Sequence, residues 1–203
     1  LERSYDEPFW TNTTSAPAYQ KSKTLAEKAA WEFITQKGGQ LELSVVNPAA
    51  VMGPVLGPEY SHSIYLVKNL LSGKMPGCPK INACFVDVRD VADLHLRAMI
   101  DPKAKGQRFI ATGGESIWLV EVARILKENL GASAGKVKVK QLPNLALRIA
   151  ALKDPMVKSM IPLLGIPMDL TSARPIHQLG WSPRSPKAAI LAAAESLIRV
   201  NLL

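Results

Sequence analysis

The chain has 203 residues, of which 47% are hydrophobic, and a formal charge of +8, enough apolar material for one large globular domain or two small ones. No apolar run approaches the roughly 18 residues needed to cross a bilayer. Cys78 and Cys84 form no CxxC and no His stands at ligand spacing, so a membrane span, a disulfide framework and a metal site are set aside.

The surplus charge does not read as a nucleic-acid surface. Lysines are scattered, and the densest run, Lys136 to Lys140, alternates with valines as one solvated strand face would, with no aromatic platform beside it. An anionic cofactor or simple solubility accounts for the charge. The start, Leu1-Glu2-Arg3-Ser4, has no initiator Met and no signal-peptide pattern, which predicts a piece of a longer protein in a reducing, cytoplasmic setting.

Residues 1–14 are polar and turn-rich. Ser15-Ala16-Pro17 then offers an N-cap candidate before a proline suited to a first helical turn, and a long helix is expected to run to about Lys37 and stop at Gly38-Gly39. Leu41 to Val46 reads as a strand. The stretch 47–58, with Pro48, Pro54, Pro58, Gly53 and Gly57, reads as a shaped loop at a strand's carboxyl end, where ligands of α/β proteins sit.

Further on, Tyr60 to Ser72 is expected to be helical, Cys84 to Val88 a strand, and Asp90 to Ile100 a helix, with Asp90 and Asp93 at capping-box spacing. Arg108 to Thr112 reads as a strand, Ser116 as the cap of a helix ending at Gly131, and Lys136 to Gln141 as a fourth strand. Helices follow, the last capped by Ser185 with Pro186 in its first turn. The fold class is α/β, yet neither GxGxxG nor GxxxxGK[ST] follows any strand, so no phosphate-cradling turn is present.

On the first helix Tyr19, Lys23, Ala26, Ala30 and Phe33 recur at helical spacing, which predicts a shared, partly buried stripe. Lys21, Lys28, Glu32 and Thr35 fall on the opposite, solvated face. An ammonium one turn from a phenol favours the phenolate, a sensible arrangement for proton transfer to a carbonyl. The alternative is a Tyr hydrogen-bonded at the helix edge with Lys23 snorkelling to water.

The run Tyr19-Gln20-Lys21-Ser22-Lys23-Thr24-Leu25-Ala26-Glu27-Lys28-Ala29-Ala30-Trp31 resembles the active-site helix of the extended short-chain dehydrogenases/reductases, in particular the dihydroflavonol-reductase-like group within the NAD-dependent epimerase/dehydratase superfamily. Matches continue in order through Val46-Asn47-Pro48, Gly53-Pro54, Leu56-Gly57-Pro58, Phe85 to Ala92, Gly106 to Phe109 and Leu179 to Arg184. The resemblance implies the C-terminal half of an extended Rossmann-fold reductase: part of a parallel sheet plus a smaller, mainly helical substrate-binding region. Residues 1–58 would complete the dinucleotide-binding domain, and 59–203 would bind substrate, with 82–112 returning to the sheet.

Residue by residue, Tyr19 would protonate the carbonyl oxygen, and Lys23 would assist it and hold the nicotinamide ribose. Pro48, Ala49, Ala50 and Val51 would line the nicotinamide, although Pro48 is equally a turn proline. Ser61 or Ser63 would reach cofactor phosphates, and His62 and Cys84 would line the substrate pocket, where the plain alternatives are a surface His and a buried strand Cys. Arg89 could meet an anion or make a structural ion pair with a neighbouring Asp. Ser4 and Ser15 are not promoted to the family's catalytic Ser.

The implied cofactor is NADP(H) or NAD(H), held mostly by a preceding half that this sequence lacks, and the implied partner is a small carbonyl substrate, without nucleic acid or membrane. Alone, the chain would be inactive and prone to homo-oligomerise. Two other readings stand beside a reductase of aldehydes, ketones or flavonoid-like carbonyls: a nucleotide-sugar epimerase or dehydratase, and a non-catalytic scaffold of the same fold.

Overall fold

In the computed structural model residues 4–203 are described; the first three residues of the turn-rich start predicted at 1–14 lie outside them. Helix α1, Ala18–Lys37, has no internal breaker and ends at Gly38, whose N–H bonds the Ile34 carbonyl at 3.2 Å, before Gly39 turns the chain at φ +59°. Its N-cap is Pro17, not Ser15. With ψ at 156°, Pro17 is extended and cannot open the helix itself.

The face that α1 turns inward also differs from expectation. Thr24, Glu27, Trp31 and Ile34 are buried or half-buried, whereas Tyr19 is 70% and Phe33 51% exposed, and Lys23 is exposed too. Counting apolar residues misjudged the rotation because an ion pair sets it. Glu27 takes Arg108 Nε at 2.5 Å and Nη2 at 3.0 Å, and also accepts from Trp31 Nε1 at 3.1 Å and Asn47 Nδ2 at 3.4 Å.

The expected strand at 41–46 forms later, and the expected loop is partly strand. β1, Val45–Pro48, and β2, Ala50–Met52, follow one another with only Ala49 between. The N–H groups of Val45 and Ala49 donate to the carbonyls of Gln107 and Ala111, so by alternation the N of Pro48 points away from that ladder and its missing donor is tolerated. Helix α2, His62–Leu71, comes next, then β3, Asn82–Ala83, and β4, Phe85–Asp87.

Helix α3, Val88–Ile100, begins earlier than expected because Asp87 is its N-cap, accepting from Arg89 N at 2.9 Å. Asp90 and Asp93 therefore form no capping box. Asp90 instead accepts from the Arg184 backbone N at 2.7 Å and pairs with its guanidinium, while Asp93 takes Arg97 at 2.7 Å. β5, Arg108–Ala111, and β6, Ile117–Trp118, precede α4, Leu119–Asn129. Ser116 is not the cap of α4, because Ile117 and Trp118 are first used in an antiparallel pairing with β3.

No ladder forms at 136–141 among the described residues. That segment exchanges backbone bonds with Cys78, from Cys78 N to Lys140 O and from Leu142 N to Cys78 O, each 2.8 Å. Four helices complete the chain: α5 Asn144–Ala150, α6 Pro155–Met160, α7 Ala173–Leu179 and α8 Pro186–Arg199. The last is capped as expected, with Ser185 Oγ accepting from Ala188 N at 3.3 Å.

β1 pairs parallel with β5 and β2 parallel with β4. One core joins Met52 and Phe85 to α2, α4 and α8 through Val67, Leu126 and Leu197. The other sets Val86 and Phe109 against α3, α7 and Trp181. Parallel strands with helical cores on two sides make an α/β architecture, and the strands' carboxyl ends are held firmly from both.

Two outcomes follow from this packing. Leu197→Ala, at a fully buried position, should cost about 2–5 kcal/mol in denaturant unfolding. The second concerns Glu27. Burial works to raise its pKa, but hydrogen bonds from Arg108, Trp31 and Asn47 together with the Arg108 charge hold it below its ordinary 4.5. A depressed folded-state pKa contributes stability above the unfolded value that is lost as pH falls through the folded one. Glu27→Gln should thus cost about 1–3 kcal/mol at pH 7, and the deficit should shrink as pH drops below 4.5; a deficit independent of pH would contradict this.

Candidate active site

The segment before α1 runs beside β5. Tyr5 is bridged to the chain near Leu170, with Tyr5 N bonding Asp169 O at 2.9 Å and Thr171 N bonding Tyr5 O at 3.1 Å, and its ring meets Phe9 edge-on at 4.6 Å. Glu7, only 4% exposed, accepts from Ile110 N at 3.2 Å and faces Arg174 at 3.6 Å. Arg108 completes the anchorage. Its guanidinium lies 3.8 Å from the centre of the Trp10 ring and donates to the Glu7 and Phe9 carbonyls.

Between this segment, α1 and the end of β1 lies a cleft of about 620 Å³. Phe9, Trp10, Met168 and Leu170 give it apolar walls, and Lys23 and Pro48 supply a cation and the strand end. Such a place, outside the carboxyl ends of parallel strands, is where open α/β sheets bind ligands.

Lys23 lines the cleft and Tyr19 stands beside it, with Lys23 Nζ 5.6 Å from the Tyr19 ring centre. The shared, partly buried stripe expected for the pair is not found: the pair is exposed. Lys23 forms no ion pair or hydrogen bond among the described residues, so its donors remain available.

Of the predicted nicotinamide-lining stretch, Pro48 reaches the cleft. Ala49 N and Ala50 N are spent on the carbonyls of Ala111 and Cys84 at 2.9 and 3.1 Å, and Val51 O accepts from Ser63 Oγ. Ser61 and Ser63 bond one another at 2.8 Å. His62 is exposed on the first turn of α2, its ring 6.2 Å from that of Tyr65.

Cys84 is buried behind the wall rather than in it: its Sγ bonds the carbonyl of cleft-lining Met168 at 3.5 Å, and burial pushes its thiol pKa up. His62 and Cys84 thus take their plain alternatives and do not join Lys23. Arg89 makes a structural ion pair, bidentate to buried Asp87 at 2.8 and 2.7 Å. Glu27, Arg108 and Trp10 were not singled out from sequence. The one available signal was Glu27 standing a turn beyond Lys23; its partner lies 81 residues away.

No family model matches the chain. It is 36% identical over 108 residues to tetraketide alpha-pyrone reductase 2 of Arabidopsis thaliana, covering 52% of this chain and 33% of that protein. It is 33% identical over 148 residues to the NADPH-dependent methylglyoxal reductase GRE2 of Saccharomyces cerevisiae, covering 68% of this chain and 43% of that protein. The chain thus spans about a third of the length of the first curated relatives it matches. Among solved structures, yeast methylglyoxal/isovaleraldehyde reductase Gre2 complexed with NADPH superposes with a TM-score of 0.73 at 25% identity, over 98% of this chain and 58% of that one. Vestitone reductase from alfalfa shares the fold, with a TM-score of 0.69 at 20% identity over 98% of this chain and 59% of its own. The ordered sequence matches and the shared architecture make this chain part of the extended short-chain dehydrogenase/reductase family.

Proposed function

We propose that the protein to which this chain belongs is an NADPH-dependent reductase of small or flavonoid-like carbonyl compounds, with Tyr19 as proton donor. The observation that carries this reading is Lys23: an ammonium without an anionic partner, lining a cleft at a strand's carboxyl end, one helical turn from Tyr19. Similarity to tetraketide alpha-pyrone reductase 2 and to an NADPH-dependent methylglyoxal reductase supports the reaction type.

The residues present fit one end of such a cofactor. Lys23 offers free donors suited to ribose hydroxyls, and Pro48 offers an apolar strand end for a flat ring. At 49–51 the N–H groups of Ala49 and Ala50 are already engaged, so a carboxamide would be met there by other groups. The Ser61 and Ser63 hydroxyls are occupied by one another and by Val51. The phosphates find no glycine-rich turn in this sequence.

When bound, the reduced nicotinamide supplies the hydride. The Tyr19 hydroxyl gives its proton to the substrate's carbonyl oxygen, and the Lys23 ammonium stabilises the phenolate left behind. The apolar walls around Phe9, Trp10 and Leu170 offer contact to the apolar part of the substrate. They also favour an uncharged carbonyl over a nucleotide sugar, since Arg108, the other cation lining the cleft, is committed to Glu27.

In the full-length protein Tyr19→Phe should lower kcat by roughly 10²–10⁴-fold while leaving NADPH affinity within a few-fold. Lys23→Ala should reduce kcat and weaken NADPH binding together. Steady-state kinetics with a simple aldehyde and calorimetric NADPH titration check both; unchanged turnover in Tyr19→Phe would refute the assignment. The 203-residue chain by itself should show no tight NADPH binding by calorimetry, because pyrophosphate recognition dominates dinucleotide affinity; micromolar binding would place the phosphate site within these residues.

A further inference from the structure

We infer that Glu27 and Arg108 are the positioning residues of the Tyr19–Lys23 pair, and that Arg108 also couples this pair to the aromatic wall of the cleft; the inference rests on the reductase reading. Among the described residues Glu27 is the one side chain of α1 that hydrogen-bonds another element, reaching Arg108 on β5 and Asn47 on β1. Every other side-chain hydrogen bond of α1 stays within the helix. Leu25 and Phe33, which could have docked it by apolar burial, are exposed. Thr24, Trp31 and Ile34 add partial burial and Lys28 a contact to the Trp10 ring, but the directional bonds that fix the roll and tilt of the helix come from this one carboxylate.

Helix geometry converts that dependence into catalytic consequence. Lys23 lies one turn and Tyr19 two turns before Glu27, about 6 and 12 Å along the axis at 1.5 Å per residue. A tilt of about 10° at Glu27 would swing Tyr19 by about 2 Å, and a misplacement of about 1 Å can cost on the order of 100-fold in rate.

Arg108 holds more than the helix. Its planar fork takes both carboxylate oxygens of Glu27, while its face stacks on Trp10 and Nη1 donates to the Glu7 and Phe9 carbonyls. Neither a lysine nor a neutral side chain can make all of these contacts at once. One guanidinium thus fixes the distance between the substrate-facing aromatic wall and the Tyr19–Lys23 pair.

The two residues are separable by kinetics. In the full-length protein, Glu27→Ala should lower kcat for NADPH-dependent reduction of a simple aldehyde by roughly 100-fold, with aldehyde KM within about 3-fold. Arg108→Lys should lower kcat comparably and also raise aldehyde KM by about 5-fold or more, because it releases the wall as well. Glu27→Gln, which keeps the shape and one of the two acceptor oxygens while turning an amide NH2 toward the other donors, should recover to within about 10-fold of the parent, and it serves if Glu27→Ala does not fold.

Stability alone would move the unfolding midpoint but leave kcat per folded enzyme and KM in place. Amide hydrogen exchange is read in parallel: residues 19–26 should exchange faster in either Glu27 variant, with α8 unchanged. Parent-like kcat in folded Glu27→Ala, or unaltered exchange across α1, would overturn the inference. A parent protein that reduces no aldehyde would defeat the reductase reading instead, and the exchange measurement would then decide the clasp by itself.

Discussion

The Glu27–Arg108 ion pair is the interaction on which the candidate site depends. Helix α1 carries the Tyr19–Lys23 pair yet buries little apolar surface, and its inward face is built around a carboxylate that takes Arg108 in a two-pronged grip. A partly buried pair of this kind is costly to desolvate, and removing one partner strands the other. What it offers in return is direction: a bidentate guanidinium fixes orientation as well as distance. Trp31 and Asn47 complete the hydrogen bonding of the acid.

The rest of the fold makes that grip meaningful by holding β5 still. Phe109 and Ala111 are fully buried in one core, so β5 is packed on the face opposite Arg108, while β4 is packed from both sides through Phe85 in one core and Val86 in the other. Packed strands, a helix bonded to them through Glu27, and a segment running from Tyr5 to Trp10 that is held in part by the same Arg108 together define the cleft. Of the strands, the paired β1 and β5 line it, through Asn47, Pro48, Arg108 and Ile110.

Much of this was legible in the sequence, for physical reasons that differ by element. Local signals read correctly: Ser185-Pro186 opens α8, Gly38-Gly39 closes α1, and the ordered motifs from Tyr19 onward point to the family. Errors arose where a distant partner overrode a local pattern. The stripe through Ala26 and Phe33 suggested one buried face, but Arg108, far along the chain, pulled Glu27 inward and turned that stripe out. Ser116 lost its capping role to the short pairing of β6 with β3, and the valines of 136–140 found only a bridge through Cys78 and Gln141. Cys84, read as a pocket residue, sits one layer behind it.

The most direct test of the account is a crystal structure of the full-length protein with NADP⁺. The nicotinamide ribose should lie within hydrogen-bond reach of Lys23 in the cleft beside Pro48, with the Tyr19 hydroxyl facing the ring and the Glu27–Arg108 pair intact. A nicotinamide bound away from Lys23, or Tyr19 turned to solvent with Arg108 detached from Glu27, would contradict it.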